Sequence, residues 1–267
     1  MTCQSAAPDS SEVRHLHAPG EAPGEAGADS PCLPLQSQIS ILHINVQSLM
    51  GHHAFLQGVL DIHCPTLLAV NESWLDVSHD SIVFAGYTLV SRRDRSTHPN
   101  RGGVCLFVHS LYNCVCLLEH SPVLELSWHV LYSDLGPLLL GIWYRPPSNE
   151  DQIGIFEAEW QRHSVEAVGT IIVGDLNVHH SSWLHFSNGN SRVGQHLFEF
   201  CRSFGFKECV RAPTRGPYLL DLALSDLHEY LDCKLLAPVA DHNCVFLTVS
   251  IALPEPQVVT RMVLAFW

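Results

Sequence analysis

Positive charge is scarce in this chain. Lysine and arginine together number 14 against 27 acids, a formal charge of −13. That balance argues against a free-standing nucleic-acid binder held by a broad basic surface. It leaves room for an enzyme that handles phosphates through a metal and a few arginines. Long apolar runs are missing too. None reaches the roughly 18 residues of a membrane-spanning helix, and no charged-then-apolar leader opens the sequence, so neither a membrane protein nor a secreted one is expected. The ten cysteines include no CxxC pair, which removes the usual spacing of a zinc site. Cys105, Cys114, Cys116, Cys201 and Cys209 belong to apolar runs and read as buried free thiols in a reducing compartment.

Residues 1–38 differ in kind from the rest of the chain. Ala18-Pro19-Gly20-Glu21-Ala22-Pro23-Gly24-Glu25-Ala26 is a short repeat set in Ser, Pro and acid, with five acids and one arginine in the whole segment. Such a stretch cannot bury enough apolar surface to offset its ordering entropy, so a disordered tail is expected. One folded domain is expected over 39–252, and then an apolar extension over 253–267.

Within that domain, apolar runs alternate with helix-like stretches. Ile39–Ile44 reads as a strand ending at Asn45. Phe55, Leu56, Val59, Leu60 and Ile62 recur at helical spacing until Pro65. Thr66–Val70 is a strand ending at Asn71-Glu72, and Val104–Val108, 114–118 and Leu138–Trp143 are further strands. The last of these must stop at Tyr144-Arg145-Pro146-Pro147, since proline offers no ladder N–H. Asn149 with Gln152 resembles a capping box ahead of Ile155, Phe156 and Trp160. Val193, Leu197, Phe200, Cys201 and Phe204 predict an amphipathic helix ending at Gly205. Strands over 218–224 and 244–251 close the domain.

The central stretch is Thr170-Ile171-Ile172-Val173-Gly174-Asp175-Leu176-Asn177. A β-branched run suggests a buried strand that breaks at Gly174. In extended geometry Asp175 and Asn177, two positions apart, share a face. A carboxylate there can take a proton from water, and an amide can donate to an oxygen that becomes negative. An isolated Gly-Asp-Leu-Asn is equally compatible with an Asp/Asn turn. What shifts the balance is that Asn45, Glu72, Tyr144, Asp175 with Asn177, and Asp241-His242 all fall at edges of expected strands, where rigid scaffolds present functional groups. Carboxylates, amides, a phenol and an imidazole suit a hard-metal phosphate site. His52-His53 and His179-His180 look like metal pairs, but adjacent side chains diverge. They are left out of the site, with His180 expected at the cleft wall.

Taken in order, Asn45-Val46-Gln47-Ser48-Leu49, Asn71-Glu72-Ser73-Trp74-Leu75, Tyr144-Arg145-Pro146-Pro147, Gly174-Asp175-Leu176-Asn177 with His179-His180 and Trp183, Pro213-Thr214-Arg215, Leu220-Asp221-Leu222 and Ala240-Asp241-His242 resemble the endonuclease/exonuclease/phosphatase family. The likeness is greatest to the apurinic-type endonuclease domain of non-LTR (LINE-like, Jockey/R1-type) retrotransposons. It implies an α/β (α+β) four-layer sandwich of two mixed β-sheets flanked by helices. It also implies a divalent ion, Mg2+ or Mn2+, and hydrolysis of a DNA phosphodiester to leave a 3′-hydroxyl that can prime reverse transcription. By the same resemblance Glu72 and Asn45 would hold the metal with Asp241 beside it. Asp175 would activate water and Asn177 would donate to the phosphate. His242, its tautomer fixed by Asp221, would neutralise phosphate charge, and Tyr144 and Thr214 would bond phosphate oxygens. Arg145 and Arg101 would contact substrate, Arg101 within the basic group Arg92, Arg93, Arg95 and Arg101. DNA is the implied partner and the nucleus the implied location, with no membrane and no obligate protein partner evident. One departure is Ala240, where such proteins commonly carry a polar residue. Two rivals remain: a phosphatase or sphingomyelinase-like activity on the same fold, and an inactive truncated transposon remnant.

Overall fold

The computed structural model describes residues 38–79, 81–95, 101–148 and 150–254. Apart from Gln38, the expected tail lies outside the described residues, as does the extension beyond 254. Among these residues, twelve strands and three α-helices succeed one another in chain order: β1 Ile39–Asn45, α1 Leu49–His63, β2 Leu67–Asn71, β3 Tyr87–Arg93, β4 Val104–His109, β5 Val115–His120, β6 Glu125–Ser133, β7 Gly136–Tyr144, α2 Ile153–His163, β8 Gly169–Asp175, α3 Arg192–Phe204, β9 Lys207–Glu208, β10 Asp221–Ser225, β11 Leu231–Pro238 and β12 Asn243–Val249. They form two six-stranded mixed sheets, one ordered β11-β12-β1-β2-β4-β3 and the other β5-β6-β7-β8-β10-β9. Each contains one parallel pair, β1 with β2 and β7 with β8.

The layers arise from residue alternation. On β1, Ile39 and Ile41 face one way and Leu42 and Ile44 the other. The first pair joins Leu67, Ala69, Val173 and Leu222 in one buried cluster, while the second packs with Leu49, Leu56 and Leu60 of α1 in another. Phe156 of α2 and Leu197 and Phe200 of α3 belong to the larger cluster. Phe156 stacks on Trp143 of β7, so these helices cover the second sheet. The expected four-layer α+β sandwich is present. Among the described residues, no helix is long and apolar enough to cross a membrane.

Several local expectations need correction. The chain does not break at Gly174: β8 runs on to Asp175, and glycine is required because a Cβ there would lie 1.7 Å from the Trp143 carbonyl oxygen. The capping box of α2 is not formed. Gln152 occupies the N-cap without a side-chain bond, Asn149 lies outside the described residues, and Asp151 instead accepts from the Ile153 N–H at 3.2 Å. By contrast Gly205 ends α3 as expected, with φ of 76° and its N–H on the Cys201 carbonyl. The thiols are mixed in character: Cys105, Cys114, Cys201 and Cys244 are buried and free, Cys116 is exposed and free, and Cys64 is disulfide-bonded.

Candidate active site

Topology brings the polar strand-edge residues to one place. The parallel pairs β1–β2 and β7–β8 finish at Asn45, Asn71, Tyr144 and Asp175, and the antiparallel strands β10 and β12 begin there, at Asp221 and next to His242. On the inner face of β1, Ile39 and Ile41 give way to His43 and then Asn45. The apolar space between the sheets therefore becomes polar at one end. Asn45, Asn71, Asp175, Asp221 and His242 are at most 1% exposed there.

Hydrogen bonds knit these groups across the two sheets. Asn45 Nδ2 donates to Glu72 Oε1 at 3.0 Å and to Asp175 Oδ2 at 2.8 Å. The second oxygen of Glu72 accepts from Trp74 Nε1 at 2.8 Å. Asp175 N–H donates to Asn71 Oδ1 at 2.8 Å. Asp221 Oδ2 lies 2.7 Å from His242 Nδ1, a carboxylate–imidazole pair that sets Nδ1 as the protonated nitrogen and turns Nε2 toward the site. Non-glycine residues with positive φ gather here: Gln47, Ser48, Glu72, Trp74 and Asn177. Such backbone persists where surrounding contacts hold it, and it clusters at functional sites.

Burial and mutual charge set the protonation. Asp175 is pushed up to about 8, first by burial and then by the charge of Asp221. For Asp221 burial acts upward, but the bond and charge of His242 outweigh it and the carboxyl is lowered. For His242 burial acts downward, and the bond and charge of Asp221, with Asp175 and Asp241, outweigh it and raise the imidazole. Burial lowers His43 to about 4, so it is neutral near pH 7. Tyr144 is raised by burial and by the charges of Glu72 and Asp175.

Four buried atoms of these groups have no hydrogen-bond partner among the described residues: Asn45 Oδ1, Asp175 Oδ1, Asp221 Oδ1 and His242 Nε2. Unsatisfied buried polar atoms are costly. Three of these four are oxygens, and with Glu72 beside them they form an oxygen donor set suited to a hard divalent cation. The ligand-type atoms of Asp175, Asp221 and His242 lie within 4.8 Å of one another, but Asp221 and His242 are already paired. Glu72, Asn45 and Asp175, joined through the Asn45 amide, form an all-oxygen alternative to that cluster.

Other expected site residues fall elsewhere. Thr214 is fully buried; its Oγ1 accepts from the Leu220 and Asp221 N–H groups at 3.1 and 3.0 Å, so it braces Asp221. Arg145 is 1% exposed, and its guanidinium donates to the carbonyls of Leu176, Asn177, Ser148 and Glu150. It supports the loop, at the edge of a small cavity that it lines with Ser148, Asn177 and Arg192. Asn177 is not in extended backbone. At φ 47° it stands on a turn, with Nδ2 donating to the Arg145 carbonyl at 3.0 Å. Asp241 lies at the rim, 45% exposed on its side chain, bound by Arg215 at 2.7 Å and 3.7 Å from His242 Nε2. Tyr144 is almost buried, with Arg95 over its ring at 5.5 Å. Half of the basic group is neutralised, Arg92 by Asp94 and Arg95 by Glu125, while Arg93 keeps a buried nitrogen without a hydrogen bond and Arg101 is exposed. His180 is buried against Phe198 and bonded to Gln195 at 3.0 Å, not at the cleft wall. His53 stacks on Phe84, outside the site as expected. Sequence reasoning gives no role to Asn71, Trp74, Arg215 or His43. Asn71 and His43 do carry a signal, each being a polar residue on the inner face of an apolar strand.

Comparison with known proteins agrees with this layout. Residues 138–245 match the family model described as endonuclease-reverse transcriptase, a span holding Tyr144, Asp175, Asn177, Asp221 and His242 but not Asn45 or Glu72. The endonuclease domain of TRAS1, a telomere-specific non-LTR retrotransposon, superposes with a TM-score of 0.63 at 15% identity, over 79% of this chain and 98% of that one. This is the endonuclease/exonuclease/phosphatase fold. The fold recurs in the AP endonuclease LMAP from Leishmania major, with a TM-score of 0.65 at 13% identity over 83% of this chain and 90% of that one. It recurs also in a mannosyl-6-phosphatase from Bacteroides thetaiotaomicron, at 0.55 and 11% identity over 79% and 99%. No curated protein matches the sequence. Neighbours as different as these mean that the fold leaves the substrate open.

Proposed function

We propose that this chain is a divalent-metal-dependent phosphodiesterase of the retrotransposon-endonuclease kind, which nicks DNA and leaves a 3′-hydroxyl. The observation that carries the proposal is the buried Asp175 carboxylate. It is joined through Asn45 to Glu72, it pairs across the sheet with Asp221, and ligand-type atoms of Asp175, Asp221 and His242 lie within 4.8 Å of one another. Glu72, Asn45 and Asp175 would hold Mg2+ or Mn2+. Such an ion, when bound, polarises a phosphoryl oxygen and makes water easier to deprotonate.

The chain's own groups do the rest. Asp175, whose carboxylate form a bound cation would favour, orients water and accepts its proton. His242 in its imidazolium form presents Nε2–H to the phosphate oxygens, and Asp221, bonded to Nδ1–H, favours that doubly protonated ring. Asn177 Nδ2, one proton of which goes to the Arg145 carbonyl, would donate its other to the same group. Tyr144 packs beside Glu72 and steadies its carboxylate, and Asp241 restrains Arg215 at the rim. DNA is preferred to a phosphomonoester because the family model concerns endonucleases and the TRAS1 likeness spans nearly all of that domain. A nuclear site of action goes with that substrate. Target selection should be weak, since base readout needs free Arg, Asn or Gln side chains in a groove and half of the basic group is paired. The test incubates the full chain with supercoiled plasmid, an inositol phosphate and sphingomyelin, with and without Mg2+. Metal-dependent plasmid nicking is expected. Phosphate release without nicking moves the assignment to a phosphatase, and silence on all three from a folded protein moves it to an inactive remnant.

A further inference from the structure

His43 is a polar residue in the middle of β1, fully enclosed, with Val245 and Ala69 as its backbone neighbours in register. An apolar residue would suit that position better on stability grounds. As a buried histidine it is poorly served: Nδ1 has no partner among the described residues, and Nε2 has one bond, to Asn71 Oδ1 at 3.3 Å. A half-satisfied buried imidazole costs stability, so the group that benefits must be sought among its neighbours.

That group is Asn71. Its Oδ1 takes the Asp175 N–H at 2.8 Å, a bond that passes from the first sheet to the second. A backbone N–H can only donate, so the amide oxygen must face it, and Nδ2 is turned away without a partner. His43 Nε2 therefore carries a proton and donates to the same oxygen. The same Nε2 lies 3.8 Å from Asp221 Oδ1, the carboxylate oxygen not used by His242. One imidazole thus stands behind both halves of the site, against the residue that fixes the Asp175 backbone and against the carboxylate that orients His242.

We infer that His43 is a positioning residue, a buried Nε2–H donor that clips the Asn71–Asp175 cross-sheet bond and steadies Asp221 behind His242. It touches neither substrate nor metal. The inference rests on the phosphodiesterase reading for its effect on rate, but its structural half stands without it. Groups held by supporting hydrogen bonds lose about 10²-fold in rate when they slip by about an ångström.

The test uses His43→Gln, His43→Asn and His43→Leu in the full chain. Glutamine can place a donor where Nε2 stands. Asparagine is polar but too short, and leucine fills the space without donating. For plasmid nicking with Mg2+, His43→Asn and His43→Leu should lose kcat by about 10²-fold with KM little changed, and His43→Gln should recover most of it. Equal rates for Gln and Asn would overturn the inference, since a requirement for buried polarity alone does not separate them. A second readout needs no activity. Hydrogen exchange at the Asp175 amide should quicken at least tenfold in the Asn and Leu variants relative to the Ile172 and Val173 amides of the same strand, and stay protected in the Gln variant. If wild type nicks no DNA, the functional reading fails and the exchange result still decides the inference. Unchanged Asp175 protection in all three variants would refute it.

Discussion

Asp175→Asn should destroy activity and yet stabilise the metal-free protein. In the folded chain burial and the charge of Asp221 push the Asp175 carboxyl up to about 8, whereas in an unfolded chain it titrates near 4. The native state therefore binds more protons than the unfolded one between those values, so stability falls as pH rises from about 4 to about 8 and is flat above. Each pH step of one within that window costs about 1.4 kcal/mol, which gives an upper figure of about 4 kcal/mol at pH 7. Asparagine keeps an oxygen to accept from Asn45 but leaves one buried side unpaired, which takes back about 1–3 kcal/mol. The net gain is about 2 kcal/mol, or about 4–8 °C in Tm for a domain of this size. The assay is thermal unfolding at pH 5 and pH 8, with and without Mg2+. The variant should melt higher than wild type at pH 8 without metal and show a flatter pH profile. Saturating Mg2+ should narrow the gap by stabilising wild type more. If the variant melts lower at pH 8 without metal, or wild-type stability does not fall between pH 5 and pH 8, Asp175 is not a buried carboxyl held protonated by its neighbours.

Other outcomes come from the same geometry. Glu72→Gln and His242→Ala should each lower turnover by about 10²–10⁴-fold with the fold intact by circular dichroism, and near-wild-type rates in both would show the site misplaced. Glu208→Gln should stabilise the protein above neutral pH: burial pushes this carboxyl up to about 8, so its cost grows from about pH 4.5 to about pH 8, and chemical denaturation at pH 6 and pH 9 reads it. Gly174→Ala should prevent folding or cost more than about 4 kcal/mol, because the new Cβ meets the Trp143 carbonyl oxygen; soluble expression with a normal Tm would contradict the packing of β7 on β8.

The apolar runs of β1, β2, β4, β7, β8 and β12 are legible in the sequence because both faces of these strands are buried and the runs are continuous. β11 is not, because it is a half-exposed edge strand with a mixed pattern. β3 reads as a polar loop because its end carries Arg92 and Arg93; the charge of Arg92 is met by Asp94 and by carbonyl groups that only the fold supplies. The site is legible through residue type at strand ends for Asn45, Glu72, Asp175 and His242, whereas Asp221 enters only through the resemblance to the family. Roles that depend on side-chain direction are not. Thr214 and Arg145 carry donors and acceptors fit for a phosphate, but burial turns both onto the backbone. Asn177 has its expected identity for a reason composition does not reveal, a left-handed turn that an amide residue tolerates.

Metal-assisted phosphodiester cleavage of DNA would leave its mark in the chemistry of the product ends. Supercoiled plasmid would be treated with the full chain and Mg2+, and the open-circular product would be offered to a DNA polymerase with labelled nucleotides. Nicks should appear only with the divalent ion, be absent from Glu72→Gln, and be extended directly from a 3′-hydroxyl. Nicks that form equally in a chelator, or that must first be freed of a 3′-phosphate before extension, would contradict the proposed activity.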